Sequence, residues 1–508
     1  MTLLQKLAKN FTSLPLFFQI YAIACCLMFA IAFYGFISGS SREARIFLYT
    51  GLTGFLIFTL LNLATANRNL KETGVMQIIS LLLLFTILPI FLAFPTWIIL
   101  QSSSFLDVYV DMVGAFTTTG LPVFENNLLS RLIHLWRALI AWFGGGLIWI
   151  AAFVILLPAS REGYDLVYDK KNKSKQNRKL TLNERSMTLS KISKKLVPIY
   201  ISLTFILWCV LTSLGTDGYT SFIRASSILS TSGIAGPEKF NFDGAGFFGE
   251  LVMAMFLLLA LTHNIFYSLN KKKYFKNILL DKELRLGLLT VIFITLILSL
   301  KTISLNSTFF NLEGTFISGL KLIWGNFFTV FSFITTNGYV SSYWGAALTS
   351  LDIPHVTIIF LGLCLFGGGL ATTAGGIKLL RISVLFSAFS NETGKLLHPS
   401  SMAGSSFNLR NLEISIFMAW GFFMLFIVSL ALMTIILAMF GISFEEALVL
   451  TIACLTTTGP IIEMVGIEPS LISELAYFPK LVLVISMVLG RLEILVALSV
   501  MIYVLRRT

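Results

Sequence analysis

Apolar runs of about 20 residues recur along almost the whole length of this 508-residue chain. A helix needs about 20 predominantly apolar residues to cross the hydrocarbon core of a bilayer. Ten such runs can be drawn, at about 19–37, 46–66, 75–100, 129–157, 193–214, 245–269, 284–305, 354–390, 412–441 and 475–505. Inside lipid every backbone N–H and C=O must be satisfied by the protein itself, so a run this long and without alternation has to be a helix. Composition agrees: 12% of residues are charged, half of what a soluble domain carries (about 25%). The sequence therefore predicts an all-α polytopic membrane protein embedded in a lipid bilayer. The first run follows Lys6 and Lys9, as the core of a signal peptide would. It lacks a small-x-small cleavage site and a second run follows at once, so it is read as a true span.

The net charge of +12 is a topology signal, not a nucleic-acid footprint. Residues 161–195 hold eleven Lys/Arg against four acids and residues 270–285 hold six against two, whereas 101–127 carries Asp107, Asp111 and Glu125 and no base. Basic loops stay in the cytoplasm. An even number of spans puts both termini on one side, and Lys6, Lys9, Arg506 and Arg507 assign that side to the cytoplasm. No nucleic-acid partner is expected. The five cysteines all fall in apolar stretches without CxxC spacing and are read as small buried hydrophobes. His134, His263, His355 and His398 are scattered and show no metal-ligand spacing.

Between alternate spans lie four apolar segments too short to cross a bilayer, at about 105–119, 218–232, 322–337 and 444–458. Each ends in a similar tetrapeptide: Thr117-Thr118-Thr119-Gly120, Ser230-Thr231-Ser232-Gly233, Thr335-Thr336-Asn337-Gly338 and Thr456-Thr457-Thr458-Gly459. The glycines are 113 (233−120), 105 (338−233) and 121 (459−338) residues apart. A second echo is Phe143-Gly144-Gly145-Gly146-Leu147, which returns as Phe366-Gly367-Gly368-Gly369-Leu370. One Thr-Gly pair would be an ordinary helix stop or packing seam. Four at one period make an internal fourfold repeat of span, re-entrant helix, glycine loop and span.

An ion crossing lipid must exchange its hydration shell for fixed oxygens, and a ring of backbone carbonyls does this for potassium. Irregular backbone at membrane depth is tolerated only where it is buried in protein or lines a water-filled path. Four such segments in one chain could form four walls of one ring. Glycine at the end of each allows a positive φ or a close approach to the axis, the preceding Thr and Ser residues add hydroxyl oxygens, and a short helix pointing its C-terminal end inward adds negative potential. The candidate cation-binding residues are Thr118, Thr119, Gly120, Thr231, Ser232, Gly233, Thr336, Asn337, Gly338, Thr457, Thr458 and Gly459.

These segments resemble those of the Trk/Ktr/HKT superfamily of potassium transporters, and the likeness spans nearly the whole chain. Leu135-Trp136-Arg137 leading into Trp142-Phe143-Gly144-Gly145-Gly146 resembles the helix after the family's first pore loop. Gly367 through Lys378 resembles its broken third-repeat inner helix, and Gly490-Arg491-Leu492-Glu493-Ile494 its last inner helix. Two extra spans before the first repeat resemble the membrane subunit of a Trk-type uptake system rather than the shorter Ktr form. The resemblance implies four membrane–pore–membrane units around a pseudo-fourfold pore, plus two extra N-terminal transmembrane helices. It implies potassium uptake across the bacterial cytoplasmic (inner) membrane, a homodimer with one pore per subunit, and a cytoplasmic nucleotide-binding regulatory subunit. Glycine at the end of all four segments goes with potassium rather than sodium. No Gly-x-Gly-x-x-Gly is present, so any nucleotide belongs to a partner. No cofactor is expected in this chain; K+ is its transported ion.

The division expected is an N-terminal helix pair (1–72), pore repeat 1 (73–160), a cytoplasmic basic loop (161–192), pore repeat 2 (193–270), a second basic loop (271–283), pore repeat 3 with a gating loop (284–395) and pore repeat 4 (396–508). Residues 367–376 hold five glycines, two threonines and two alanines. Glycine inside a helix costs about 1 kcal/mol against alanine, so the helix should break there. By the resemblance that break is an intramembrane gate, with Gly368, Gly369, Thr372, Thr373, Gly375, Gly376 and Lys378 in it; a close helix-packing seam is the alternative. Gly144–Gly146 is read as a packing seam. Arg491 lies deep in the last span, where a base costs about 2.5–3.5 kcal/mol on insertion scales; it is read as a pore-facing electrostatic barrier, the alternative being a pair with some carboxylate other than Glu493. Lys378 and Arg381 are also read as snorkelling at the cytoplasmic end, and His134 and Arg137 as interfacial anchors. Two rival readings remain: a secondary transporter of another solute or a Na+/K+ cotransporter, and a membrane-embedded enzyme. An enzyme would need clustered His, Asp, Glu or Cys at membrane depth, and the sequence has no such cluster.

Overall fold

The structure, a computed structural model, describes residues 16–65, 74–152, 182–237, 246–261, 282–305, 315–344, 353–370, 372–397 and 406–492. Two helices, α1 (Leu16–Ile37) and α2 (Ser41–Thr65), form a pair. Repeat 1 then contributes α3 (Gly74–Ile99), the short α4 (Phe105–Phe116) and α5 (Arg131–Ala151). Repeat 2 contributes α6 (Leu182–Ser213), the short α7 (Gly218–Ser230) and α8 (Gly246–Leu257). Repeat 3 contributes α9 (Lys282–Leu305), α10 (Thr315–Ile334), α11 (Ile353–Leu365) and, after a loop, α12 (Leu379–Leu397). Repeat 4 contributes α13 (Ser406–Met439), the short α14 (Phe444–Leu455), two small helices α15 (Ile461–Val465) and α16 (Pro469–Glu474), and α17 (Tyr477–Leu492).

Among the described residues seven helices are long and apolar enough to span a membrane. They coincide with seven of the ten expected runs: the two N-terminal ones, those of α3, α5, α6 and α9, and that of α13. The expected run 354–390 is not one helix, because α11 ends at Leu365 and α12 starts at Leu379. The runs 245–269 and 475–505 extend beyond the described residues. The chain is a multi-pass membrane protein.

The long helices separate into two kinds. In α2, α6 and α13 only 28% of the most apolar window is buried, against 72% in α5. The outer helices turn Leu56, Phe205 and Phe417 outward, where lipid replaces water as the apolar solvent and exposure is not penalised. Cys26 and Cys209 sit on this outer face, against expectation, while Cys25, Cys364 and Cys454 are buried. A face that meets hydrocarbon accepts a thiol as readily as the core does.

The packing order makes a closed ring. The helix following each short helix leans on the short helix of the next repeat: α5 on α7, α8 on α10, α11 on α14, and α17 back on α4. Glycine sets the closeness. A Cβ on Gly144, Gly367 or Gly490 would collide with the carbonyl of Phe116, Ile334 or Leu455, the last residues of α4, α10 and α14. The expected seam at Gly144–Gly146 is present: a Cβ on Gly145 would stand 2.7 Å from Ser230 Cβ, and one on Gly146 3.1 Å from Tyr200.

Candidate functional site

The four short helices end at one place, each running straight into its tetrapeptide. Two of them, α4 and α14, are capped by side chains at their starts. Ser104 accepts from the amide of Asp107 (3.2 Å) at the head of α4, and Ser443 with Glu446 forms a capping box at the head of α14. At the other end the first hydroxyl of every tetrapeptide turns back onto its own helix: Thr117 to Val113 O (2.7 Å), Ser230 to Ser226 O (2.8 Å), Thr335 to Phe331 O (3.0 Å) and Thr456 to Ile452 O (2.7 Å). That hydroxyl closes the helix and is not offered to an ion.

The next residue is the unusual one. Thr118, Thr231, Thr336 and Thr457 have φ of +57°, +51°, +57° and +55°, and they are the non-glycine residues with positive φ among the described residues. A left-handed conformation costs an L-residue about 1–2 kcal/mol, and for a β-branched one it is a marked outlier. It is held by the same pair of bonds four times. The second amide donates to the carbonyl three residues back: Thr118 to Ala115 (2.9 Å), Thr231 to Ile228 (3.3 Å), Thr336 to Phe333 (3.0 Å) and Thr457 to Cys454 (3.3 Å). The third amide donates five back: Thr119 to Gly114 (2.8 Å), Ser232 to Ser227 (3.1 Å), Asn337 to Ser332 (3.0 Å) and Thr458 to Ala453 (2.9 Å). In a trans peptide N–H and C=O point in opposite directions. With these amides turned onto the helix, the first and second carbonyls of each segment point away from it. The hydroxyls of Thr118 and Thr457 are buried and have no hydrogen-bond partner among the described residues.

The fourth residues complete the ring. Gly120, Gly233 and Gly338 have φ of +64°, +64° and +78°, as expected. Gly459 departs from the pattern and is absent from the positive-φ residues; its amide crosses to Thr119 O instead of turning back onto its own helix. The neighbours run in chain order. A side chain on Gly120 would strike the carbonyl of Ser232, and one on Gly233 that of Asn337. One on Gly338 would stand 2.9 Å from Pro460 Cβ, and one on Gly459 2.6 Å from Thr119 O. Segment 1 therefore touches 2, 2 touches 3, 3 touches 4 and 4 touches 1.

The loop between α11 and α12 lies against this ring. Gly375 N donates to Thr336 Oγ1 (2.9 Å), Gly368 N to Ile334 O (3.0 Å), and a Cβ on Gly375 would overlap Thr456 O and Thr457 Oγ1. Three anchors come from elsewhere: Gly369 N donates to Ala260 O (3.0 Å), Leu370 N to the buried carboxylate of Glu283 (3.3 Å), and Arg491 Nη1 to Thr373 O (2.6 Å). Between the loop and segment 2 is a cavity of about 20 Å³ lined by Trp149, Tyr200, Thr231, Thr372 and Thr373 among others, room for about one water.

The sequence model of a family described as TrkH, cation transport protein, matches residues 240–505, more than half of the 508 residues. The chain belongs to the TrkH family. Family members are transport proteins, which sets aside the reading as a membrane enzyme. Trk system potassium uptake protein TrkG of Escherichia coli is 26% identical over 83% of this chain and 82% of its own length. TrkH of the same strain is 25% identical over 76% and 77%. An uncharacterized cation transporter of Methanocaldococcus jannaschii is 26% identical over 88% and 86%. The crystal structure of the potassium transporter TrkH from Vibrio parahaemolyticus matches with a TM-score of 0.75 at 19% identity, over 96% of this chain and 98% of that one; at this identity it shows the shared fold.

In this TrkH-family chain the buried charges sit differently from expectation. His134 and Arg137 are not interfacial anchors: they are 0% and 4% exposed. Arg137 pairs with Asp111 (2.8 Å) and donates to Leu121 O (3.4 Å), directly after Gly120. Asp107, one turn earlier on α4, pairs with Lys480 of α17, so the two aspartates clamp α4 between repeats 1 and 4. Lys378 and Arg381 do not snorkel. Lys378 Nζ donates to Ala374 O within the loop, and Arg381 stacks 3.7 Å over the ring of Phe422, so unpaired loop carbonyls and an aromatic face replace water. The partner found for Arg491 is a loop carbonyl, not a carboxylate; Glu493 lies outside the described residues. His263 and His398 also lie outside them, as do the basic loops at 161–181 and 270–281.

Sequence reasoning missed Glu250, which is fully buried on α8 and accepts from Trp324 Nε1 (2.8 Å), Ser341 Oγ (2.7 Å) and Ser342 N (2.9 Å). It ties repeat 2 to the loop that leaves segment 3. A lone acid inside the apolar run 245–269 was the available signal. Glu283 was likewise counted only as loop charge. The left-handed threonines had a signal too, since the second residue is Thr in all four tetrapeptides.

Proposed function

We propose that this TrkH-family chain takes up potassium through a pore whose selectivity filter is the ring of Thr118–Gly120, Thr231–Gly233, Thr336–Gly338 and Thr457–Gly459. One observation carries the reading: the same left-handed threonine, with the same two amide tethers, recurs in all four segments. Four sets of carbonyls freed from their own helices, at the negative ends of four helix dipoles, are what a desolvated monovalent cation needs. Strained backbone of this kind persists where function demands it. The Trk potassium uptake proteins among its relatives support potassium as the ion.

The gate in this reading is the loop with Gly368, Gly369, Thr372, Thr373, Gly375, Gly376 and Lys378, held by Arg491. The closeness of Gly375 to Thr336 and Thr457 supports a loop lying across one end of the filter. The pore lies in the cytoplasmic membrane with both termini inside, as the basic loops favour. A homodimer and a cytoplasmic nucleotide-binding subunit follow from the family likeness. The test is ⁸⁶Rb⁺ uptake into liposomes holding the purified chain, competed by K+ and by Na+. Uptake blocked by excess K+ and little affected by Na+ is the expected result. Uptake indifferent to K+, or driven by another solute, would favour a secondary transporter.

A further inference from the structure

The third residues of the four segments are Thr119, Ser232, Asn337 and Thr458, and three of them behave alike. Thr119 Oγ1 pairs with Thr117 Oγ1 (2.8 Å), Ser232 Oγ with Ser230 Oγ (3.1 Å), and Thr458 Oγ1 with Thr456 Oγ1 (3.3 Å). Each hydroxyl folds back inside its own repeat. Asn337 does not. Its Oδ1 accepts from the amide of Gly233, in the neighbouring repeat, at 3.3 Å. The carboxamide orientation is fixed by chemistry, since the NH2 group turned to that amide would set donor against donor.

The amides of the fourth residues show why this matters. Gly120 N donates to Gly114 O (3.0 Å) and Gly338 N to Ser332 O (3.3 Å), each within its own repeat. Gly459 N crosses to Thr119 O (2.6 Å) and Gly233 N crosses to Asn337. In the ring order 1-2-3-4 the crossed seams, 4–1 and 2–3, are opposite each other. At the seams 1–2 and 3–4 the fourth-residue amides make no crossing bond, and Gly120 stands against Ser232 and Gly338 against Pro460. At seam 4–1 backbone makes the tie. At seam 2–3 the Gly233 amide is held by a side chain, and beside it Tyr339 donates its hydroxyl to Ile234 O (2.8 Å).

We propose that Asn337 is a specificity-determining positioning residue: its Oδ1 holds the Gly233 peptide and so sets the width of the ring at the seam between segments 2 and 3. The inference rests on the filter reading above. Asn337 acts through Gly233 and not by ligating the ion with its side chain, whose Nδ2 is a donor and would repel a cation. A hydroxyl in its place is too short to cross, and would fold back onto Thr335 as Thr119 and Thr458 do onto Thr117 and Thr456.

The test is the K+/Na+ permeability ratio of the full chain in liposomes for N337T and G120S. N337T gives segment 3 the Thr-Thr-Thr-Gly of segments 1 and 4. N337T should conduct with a ratio lowered on the order of fivefold, the factor that goes with one lost buried hydrogen bond. If N337T does not insert, N337S carries the same expectation. A wild-type ratio in N337T or N337S alongside a lowered one in G120S overturns the proposal and leaves the filter reading standing. Unchanged ratios in N337T and G120S alike overturn both.

Discussion

The amide of Gly459 donates to the carbonyl of Thr119 at 2.6 Å, joining residues 340 positions apart (459−119) and closing the fourth tetrapeptide segment onto the first. No local pattern brings them together. The bond is the product of α17 leaning on α4, fastened by Asp107–Lys480. It also makes clear why a side chain at the fourth position is excluded, since a Cβ on Gly459 would stand 2.6 Å from the same carbonyl.

Gly120→Ser tests the ring most directly. The position has φ +64° and its Cβ would strike the Ser232 carbonyl, so the seam between segments 1 and 2 must open. The variant should insert normally and lose K+/Na+ discrimination by about tenfold, about 1.4 kcal/mol. Reversal potentials in mixed K+/Na+ measure it; values equal to wild type remove Gly120 from the filter.

Arg491→Ala removes the Nη1 bond to Thr373 O and a buried positive charge beside the loop. Cation flux should rise severalfold while the K+/Na+ ratio stays within about twofold, because Coulomb repulsion acts on any cation. Single-channel or ⁸⁶Rb⁺ uptake records in the same vesicles separate flux from ratio. Reduced flux with intact insertion would assign Arg491 to opening instead of closing.

Gly375→Ala places a methyl where Thr456 O and Thr457 Oγ1 stand, so the loop cannot keep its present seat. Deletion of 370–376 removes the seat altogether. Both changes should alter how much the pore conducts, with the deletion raising uptake, and a gate needs only such a two-position element. Wild-type uptake in the deletion variant would make the segment a packing seam.

Asp111→Ala leaves Arg137 buried and uncompensated, a loss of about 3–5 kcal/mol for a broken buried pair. Thermal unfolding in detergent should show a clear drop in midpoint. Replacing both partners with apolar residues (D111L with R137M) should recover much of it, since a well-packed apolar pair often equals a buried ion pair. A double variant no more stable than D111A would show that the Arg137 contact with Leu121 O carries the effect.

The sequence by itself determined the helices, the four repeats, the tetrapeptides and the break after Leu365, because each follows from local rules: apolar length, period, and glycine's cost inside a helix. Glycine was expected to take a positive φ or to approach closely at the end of each segment: it is left-handed at 120, 233 and 338, and at 459 it makes a close approach, where a Cβ would stand 2.6 Å from Thr119 O. Thr118, Thr231, Thr336 and Thr457 are left-handed too: β-branching opposes that conformation, and two amide bonds reaching three and five residues back onto the same helix end, a local cap, hold it. Only the tertiary structure decided the order of the ring and the burial of Arg137, Lys378 and Arg381. A charge's neighbours come from segments more than a hundred residues away as often as from its own helix: Arg491 meets Thr373 across 118 positions (491−373). Burial of such groups depends on who supplies the opposite charge or carbonyl, and that is a property of the assembled ring.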